Sequence, residues 1–362
     1  MKNTFPSYCK KFECIADKCP DTCCAGWGIV VDSESFEKYS AISNAYGDKI
    51  RSLISVDEDG DRIFTPCGGR CPFLLESGLC EMHIELGHEN LCRTCRLFPR
   101  HITSFGARIE TGISLSCPEA ARLIFESPDP VTLENENIGG EIIPSDFDAE
   151  LYFTLLEARK KAIDILQRRD FSIEKRICAF LEFSKALQEC IKHGDYEEAA
   201  SMNADTFFIT KQSFSLSKSK RALNKYFSDF GSLEFINPDF SEKLSAAQSV
   251  DMQGFSAPDW EYEHLMIYFV FRYFTAGVFD GNILAKAKFA AVSFIIIKRL
   301  HASLDAFSKE QRTEIAQKYS KEIEHSALNM DFLFSSIRKS RYYSVENLTN
   351  ILSEEVICNE IS

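Results

Sequence analysis

Eleven of the fourteen cysteines fall within the first 117 of 362 residues, in close-spaced sets. The tightest is Cys14-x4-Cys19-x3-Cys23-Cys24, and Cys67, Cys71, Cys80, Cys92, Cys95 and Cys117 follow. Sulfurs this dense form disulfides or bind metal, and that choice governs what the region can fold into. The N-terminus, Met1 to Tyr8, enters a polar, cysteine-bearing segment without an apolar stretch of the secretory kind. The longest apolar runs, Leu265–Val278 (interrupted by Arg272) and Phe289–Ile297, fall short of the roughly 20 residues of a membrane span. The chain therefore reads as cytoplasmic, with no membrane partner. Thiols stay reduced there, so metal is expected over disulfide.

At 362 residues, two domains are the simplest division. Forty-five per cent hydrophobic residues, thirty of them Phe, suffice for a large core. A net charge of −13 argues against nucleic acid as a partner and suits a basic protein surface. Residues 1–126 form a cysteine-rich block full of Gly and Pro, in which 27–31 and 108–113 read as brief strands or extended loops. Its expected character is a small irregular domain nucleated by metal. A Pro- and Gly-containing linker is expected over 127–144.

From 145 to 362 the spacing turns helical, giving a mainly α protein with an all-α second domain. Ser145 stands where an N-cap should, ahead of Phe147, Leu151, Leu155, Ala158, Ala162 and Leu166. Ser172 opens a second helix that Gly194 ends. Further helices are expected near 195–204, 217–229, 259–279, 282–302, 309–327 and 345–358, with Asp259 and Asn282 as N-caps. The turn-like segment 194–200 has no second copy at a fixed period, so no repeat is read.

Four thiolates hold either a tetrahedral zinc or a cubane iron–sulfur cluster. The knuckle-like spacings are Cys92-x2-Cys95, Cys67-x3-Cys71 and Cys19-x3-Cys23, while Cys23-Cys24 is a vicinal pair. Adjacent cysteines point in different directions, so they serve different metals or leave one thiol structural. The uneven set suits an iron–sulfur cluster, or a cluster plus zinc, better than stacked zinc fingers. The Cys-x3-Cys-x2-Cys arrangement of radical enzymes is absent, as are G-x-G-x-x-G and P-loop sequences.

The run Phe12-Glu13-Cys14-x4-Cys19-Pro20-Asp21-Thr22-Cys23-Cys24-Ala25-Gly26-Trp27 resembles the opening of flagellin lysine N-methylases, within a wider group of cysteine-cluster proteins. The likeness continues through Cys71-Pro72-Phe73-Leu74, Gly78-Leu79-Cys80, Leu86-Gly87 and Cys95-Arg96-Leu97-Phe98-Pro99-Arg100. It closes on Leu115-Ser116-Cys117-Pro118-Glu119-Ala120-Ala121. Beyond residue 125 it thins to Glu322-Ile323-Glu324-His325-Ser326 with Asn329. The resemblance implies methyl transfer from S-adenosylmethionine to lysines of flagellin, with an iron–sulfur cluster of the 4Fe-4S type and zinc as the alternative metal. It carries the ligand role onto Cys14, Cys19, Cys23, Cys24, Cys71, Cys80, Cys95 and Cys117. Cys9, Cys67 and Cys92 rank lower, and Cys178, Cys190 and Cys358 read as buried thiols.

An amine must lose its proton before it can be methylated, because its ordinary pKa of about 10.4 leaves it charged at neutral pH. His325, following Glu324, is a candidate proton relay, with a helix-surface or capping role as the alternative. Tyr342, with Tyr343, is a candidate wall of the lysine channel, though a basic helix end explains its neighbours equally well. Trp27 can stack on adenine or the sulfonium, or plug a small core. Arg100 and Glu119 can orient the cofactor, or form structural ion pairs. His83 and His88 can replace a thiolate at the metal. Two other functions stay open: a non-catalytic, zinc-stapled binding module, and an iron–sulfur redox or sensor protein. An active site is expected where the cysteine-rich segment meets the helices.

Overall fold

The computed structural model describes residues 1–58, 60–140, 146–208 and 216–360, side chains of 216–217 and 354–360 excepted. The chain is mostly α-helical, with seven short strands among the described residues, β1 (Lys2–Pro6), β2 (Ile29–Val30), β3 (Ile54–Val56), β4 (Arg62–Phe64), β5 (Arg100–Phe105), β6 (Arg108–Ile113) and β7 (Leu133–Asn137). They form a four-stranded sheet, ordered β5-β6-β1-β7, and a three-stranded one, β2-β4-β3. β1 lies parallel to β6, with Asn3 opposite Ile109, and antiparallel to β7, with Phe5 opposite Glu134. β5 and β6 make a hairpin around Gly106, whose φ of +64° is easy for glycine and costly for other residues. Both brief strands expected from alternation, within 27–31 and 108–113, are present, the first only over Ile29–Val30. Within the span expected as a linker, 133–137 is instead the edge strand beside β1.

Two cores divide the N-terminal segment. Ile29, Tyr39, Phe64, Phe73, Met82 and Leu91 form a small one, built from the three-stranded sheet and short helices Ser33–Ser40 and Ala45–Ser52. Asp32 and Asn44 cap these helices through side-chain oxygens. The four-stranded sheet and helix Pro118–Ile124 belong to the other core, which runs on into the helices.

Helix Ala149–Leu166 starts at Asp148, whose carboxylate accepts from the Glu150 and Leu151 N–H groups; Ser145, the expected cap, lies outside the described residues. Ile173–His193 has Ser172 as N-cap and ends at Gly194 with φ +74°, as the spacing foretold. Ile283–Ser303 is buried along most of its length and packs on Ile173–His193. Asn282 occupies its N-cap position without a capping side-chain hydrogen bond, its amide donating instead to the Asp280 carbonyl at 2.7 Å. Asp259 is the first residue of its helix rather than the cap, and its carboxylate accepts from the Ile173 N–H at 2.9 Å. The expected helix 259–279 is α only over Asp259–Phe269; it widens to a π turn over Val270–Phe274 and tightens to a 3-10 turn over Thr275–Val278. Two helices, Asp239–Ser249 and Ala327–Lys339, escape the apolar-spacing argument. No helix among the described residues is long and apolar enough to cross a membrane.

Candidate functional site

The Glu322–Asn329 segment is the bend between helices Lys309–Ile323 and Ala327–Lys339, and its polar groups are shared out in different directions. Glu322 accepts from the Ile236 and Asn237 backbone N–H groups, at 2.6 and 3.2 Å. Asn329 donates to the carbonyls of Glu234 and Glu322. Ser326 caps the second helix. Glu324 and His325 face the joint between the cysteine-rich segment and the helices.

Glu324 is closed in by the π turn. Tyr273 donates to Glu324 Oε2 at 2.6 Å and Tyr268 at 3.0 Å, while Arg272 Nε lies 3.2 Å away. Arg272 also donates to both phenol oxygens, and the Leu115 N–H donates to Tyr268. Burial raises both phenol pKa values, so the hydroxyls stay protonated and donate. A π turn adds a residue to the helical repeat, and such turns recur at functional sites.

His325 turns the other way. Its Nε2 lies 2.7 Å from Ser116 Oγ and 3.0 Å from Ser114 Oγ. Its ring stacks on Trp27 with centroids 5.3 Å apart, Phe98 flanks it at 6.1 Å, and part of its surface reaches solvent. Crowding by protein, then the positive charges of Arg272 and Lys321, push its pKa down to about 4, so it is neutral at pH 7. Lys321 Nζ sits over Trp27 at 5.2 Å and pairs with Asp21 Oδ1 at 2.5 Å. Gln317 ties the two segments together, donating to Asp21 Oδ2 at 2.9 Å and to the Ser116 carbonyl at 2.7 Å.

Beside this junction lies a cleft of about 730 Å³ with Asp21, Pro118, Ile236, Phe240, Gln317 and Lys321 in its walls. That size falls in the range of small-molecule sites. Its rim mixes Lys243, Lys309 and Lys318 with Glu310 and Glu314.

The described cysteines are all free thiols. Nine of them fall into two neighbourhoods. Cys14, Cys19, Cys23 and Cys117 sense one another electrostatically, and so do Cys24, Cys71, Cys80, Cys92 and Cys95. The Cys23 and Cys24 thiols hydrogen-bond each other, which pushes Cys24 down to about 6 and Cys23 up. Cys92 and Cys95 are paired likewise, Cys92 lowered and Cys95 raised. Burial lifts Cys117 to about 11 and Cys71 to about 12. Among the described residues, no three His, Cys, Asp or Glu side chains are gathered tightly enough to hold a single metal ion.

The remaining expected residues stand apart from the His325 junction. Tyr342 lies in the turn before the last helix, where its carbonyl accepts from Tyr226 and Arg341 stacks on its ring. Arg100 lies over Phe12 at 5.1 Å. Glu119 is engaged by Arg122 at 2.7 Å, the structural ion pair weighed as its alternative. His83 and His88 are exposed and face each other at 5.9 Å. Cys9 donates to the Thr111 carbonyl, Cys67 is exposed, Cys178 and Cys190 are buried, and the Cys358 side chain lies outside the described residues. Cys92, ranked low as a ligand, sits within the second thiol neighbourhood. Sequence reasoning missed Ser114, Asp21, Gln317, Lys321, Tyr268 and Tyr273. The one available signal was Arg272, a charge inside a long apolar run.

Residues 159–351, just over half of the chain, match the model of the FliB lysine N-methylase C-terminal domain. A lysine-N-methylase of Salmonella typhimurium is 29% identical over 203 residues, covering 53% of this chain and 49% of the relative. The flagellar biosynthetic protein FliU of Salmonella muenchen is 33% identical over 136 residues, 36% of this chain and 80% of the relative. The chain thus spans about half the length of the lysine-N-methylases it matches. No solved structure matches it. The matched region takes in the Glu322–Asn329 bend and the π turn that closes on it, and with that stretch accounted for, the chain belongs to the FliB lysine N-methylase family.

Proposed function

We propose that this protein methylates lysine side chains of flagellin, with S-adenosylmethionine as methyl donor and an iron–sulfur cluster in the cysteine-rich segment. Family membership and the flagellar naming of one relative support the class of activity. The observation that carries the site is the meeting of Trp27, His325 and the Ser116–Cys117 turn beside a ligand-sized cleft.

The reaction joins the lysine nitrogen to a methyl carbon, breaks the carbon–sulfur bond of a sulfonium and releases one proton. Ile236 and Phe240 in the cleft wall strip part of the water from an incoming ammonium, which favours the neutral amine. S-adenosylmethionine supplies the electrophilic methyl group when bound. Trp27 already carries the Lys321 ammonium on its face, so its indole suits a sulfonium. With a pKa near 4, His325 can pass a proton on to water but cannot keep it. Its first task is to hold Trp27 and the two serines in place. Thiolates are the donors that iron–sulfur clusters and structural zinc take, and the first 117 residues hold eleven cysteines to draw on.

The test is transfer of labelled methyl from S-adenosylmethionine to flagellin lysines by anaerobically prepared, metal-replete protein. Trp27→Ala should lower kcat/KM at least tenfold. No transfer to flagellin by the intact protein would sink the proposal, and undiminished transfer by the Trp27 variant would remove this site from it.

A further inference from the structure

We propose that Trp27 and Asp21 form a seat for an organic cation, the sulfonium of the methyl donor, and that the ammonium of Lys321 holds this seat until the donor displaces it. The inference rests on the proposed use of S-adenosylmethionine and adds the residue that competes with it.

Lys321 meets both parts of the seat at once. Its Nζ lies 5.2 Å from the centroid of the Trp27 ring, within the range of a cation–π contact, and pairs with Asp21 Oδ1 at 2.5 Å. Lys321 and Asp21 both belong to the wall of the cleft, so the lysine side chain reaches from the cleft to the indole. The cysteine-rich segment comes in closely here. A methyl group on Gly26, where φ is +96°, would lie 2.8 Å from Ile236 and 3.8 Å from Lys321 Cε. That glycine brings Trp27 up to the cleft wall. His325 stacks on the same indole at 5.3 Å and fixes the ring for whichever cation it carries.

Lys321 is free to leave. The joint it spans is held without it, since Gln317 donates to Asp21 Oδ2 at 2.9 Å and to the Ser116 carbonyl at 2.7 Å. Asp21 therefore keeps a hydrogen bond, and its place, when the ammonium withdraws. A lysine carries its charge on a flexible four-carbon stem, and the cleft gives that stem room to swing. Other basic groups of the cleft have partners elsewhere: Lys318 pairs with Glu314, and Arg122 with Glu119.

One indole and one carboxylate cannot hold two cations at short range, because like charges repel. An arriving sulfonium takes over both attractions that now hold Lys321, and no bond or proton changes in the exchange. Once its methyl group has left, the donor is a neutral thioether with no claim on either group. Lys321 then returns to the seat and favours release of the spent cofactor.

The experiment titrates the full chain, prepared without oxygen and carrying Trp260→Phe so that Trp27 is its only tryptophan, and reads the indole fluorescence. The ligands are S-adenosylmethionine, its neutral thioether S-adenosylhomocysteine, and trimethylsulfonium as a bare cation. Lys321→Met should bind S-adenosylmethionine about tenfold tighter than the parent chain, the scale of one cation–π contact, with S-adenosylhomocysteine unchanged within about twofold. Trimethylsulfonium should follow the charged ligand, and Lys321→Arg, which keeps a cation at the ring, should stay near the parent. Lys321→Gln keeps a hydrogen-bond donor for Asp21 and repeats the test if the methionine variant does not fold. Equal shifts for the two nucleosides, no shift, or weaker binding of the charged one would overturn the proposal and leave the donor assignment standing. Tighter trimethylsulfonium without binding of either nucleoside would uphold the cation seat and overturn the donor assignment. No response to any of the three would overturn both.

Discussion

Glu324 is the most constrained carboxylate at the candidate site. Its side chain has no solvent exposure and takes hydrogen bonds from Tyr268 and Tyr273 beside Arg272. Breaking one partner of a buried pair costs roughly 3–5 kcal/mol, chiefly because the other charge is left buried alone. Glu324→Gln keeps the volume and removes the charge, so it should destabilise by about 3 kcal/mol, at the low end of that range. A denaturant midpoint that does not move would show that the Arg272 charge needs no counter-ion. Adding Arg272→Met to the same chain should recover part of the loss, because both charges are then gone. His325 follows different chemistry, since it is neutral and its partners are two hydroxyls and an indole. Both residues were legible in the sequence as the pair 324–325. Their opposite facings were not.

At the scale of elements, the hairpin of β5 and β6 shows how tightly the sheet meets this region. His101 pairs across the strands with Gly112, and a methyl group on Gly112 would lie 2.2 Å from the imidazole. That ring is half-buried and flanked by Phe271 of the π turn, and its pKa is pushed well below the usual range by desolvation, then by Arg272 and His325. Gly112→Ala should therefore cost about 1–3 kcal/mol, the usual penalty of overpacking. Adding His101→Ser should restore much of it, as read by thermal unfolding of the single and double variants. Equal loss in both would place the strain elsewhere. Alternation marked β6 as a strand, but nothing local announced that its parallel neighbour is the N-terminal strand. The π turn was equally hidden, because a continuous apolar run reads as helix whatever its pitch.

Over the whole molecule, the helical core carries a buried histidine that ties stability to pH. His301 lies between the Tyr262 hydroxyl and the Arg312 carbonyl, each 3.0 Å away, and burial pushes its pKa down to about 3. In the unfolded chain it titrates near 6.5. Between those values the unfolded state binds the extra proton, so stability is full above about pH 6.5 and is lost as pH falls toward 3. At pH 4.5, two units below 6.5, the loss from this group is about 3 kcal/mol. Urea unfolding at pH 7.5 and 4.5 measures it, and His301→Gln should shrink the difference. An unchanged difference in that variant would assign the acid sensitivity to other groups.

The sequence by itself determined which sulfurs are available, where several helices begin and end, and which family blocks the chain carries. Caps such as Ser172 and Gly194, and the short spacings among cysteines, are local properties written within a few residues. Only the tertiary structure decided what meets at the joint. The partners of Glu324 come from the π turn and the end of the α-helix before it, 51 to 56 residues earlier, and the two serines that meet His325 from a turn about 210 residues earlier. Such pairings follow from how apolar faces are buried against one another, and a burial that joins distant segments leaves no periodic mark in either of them.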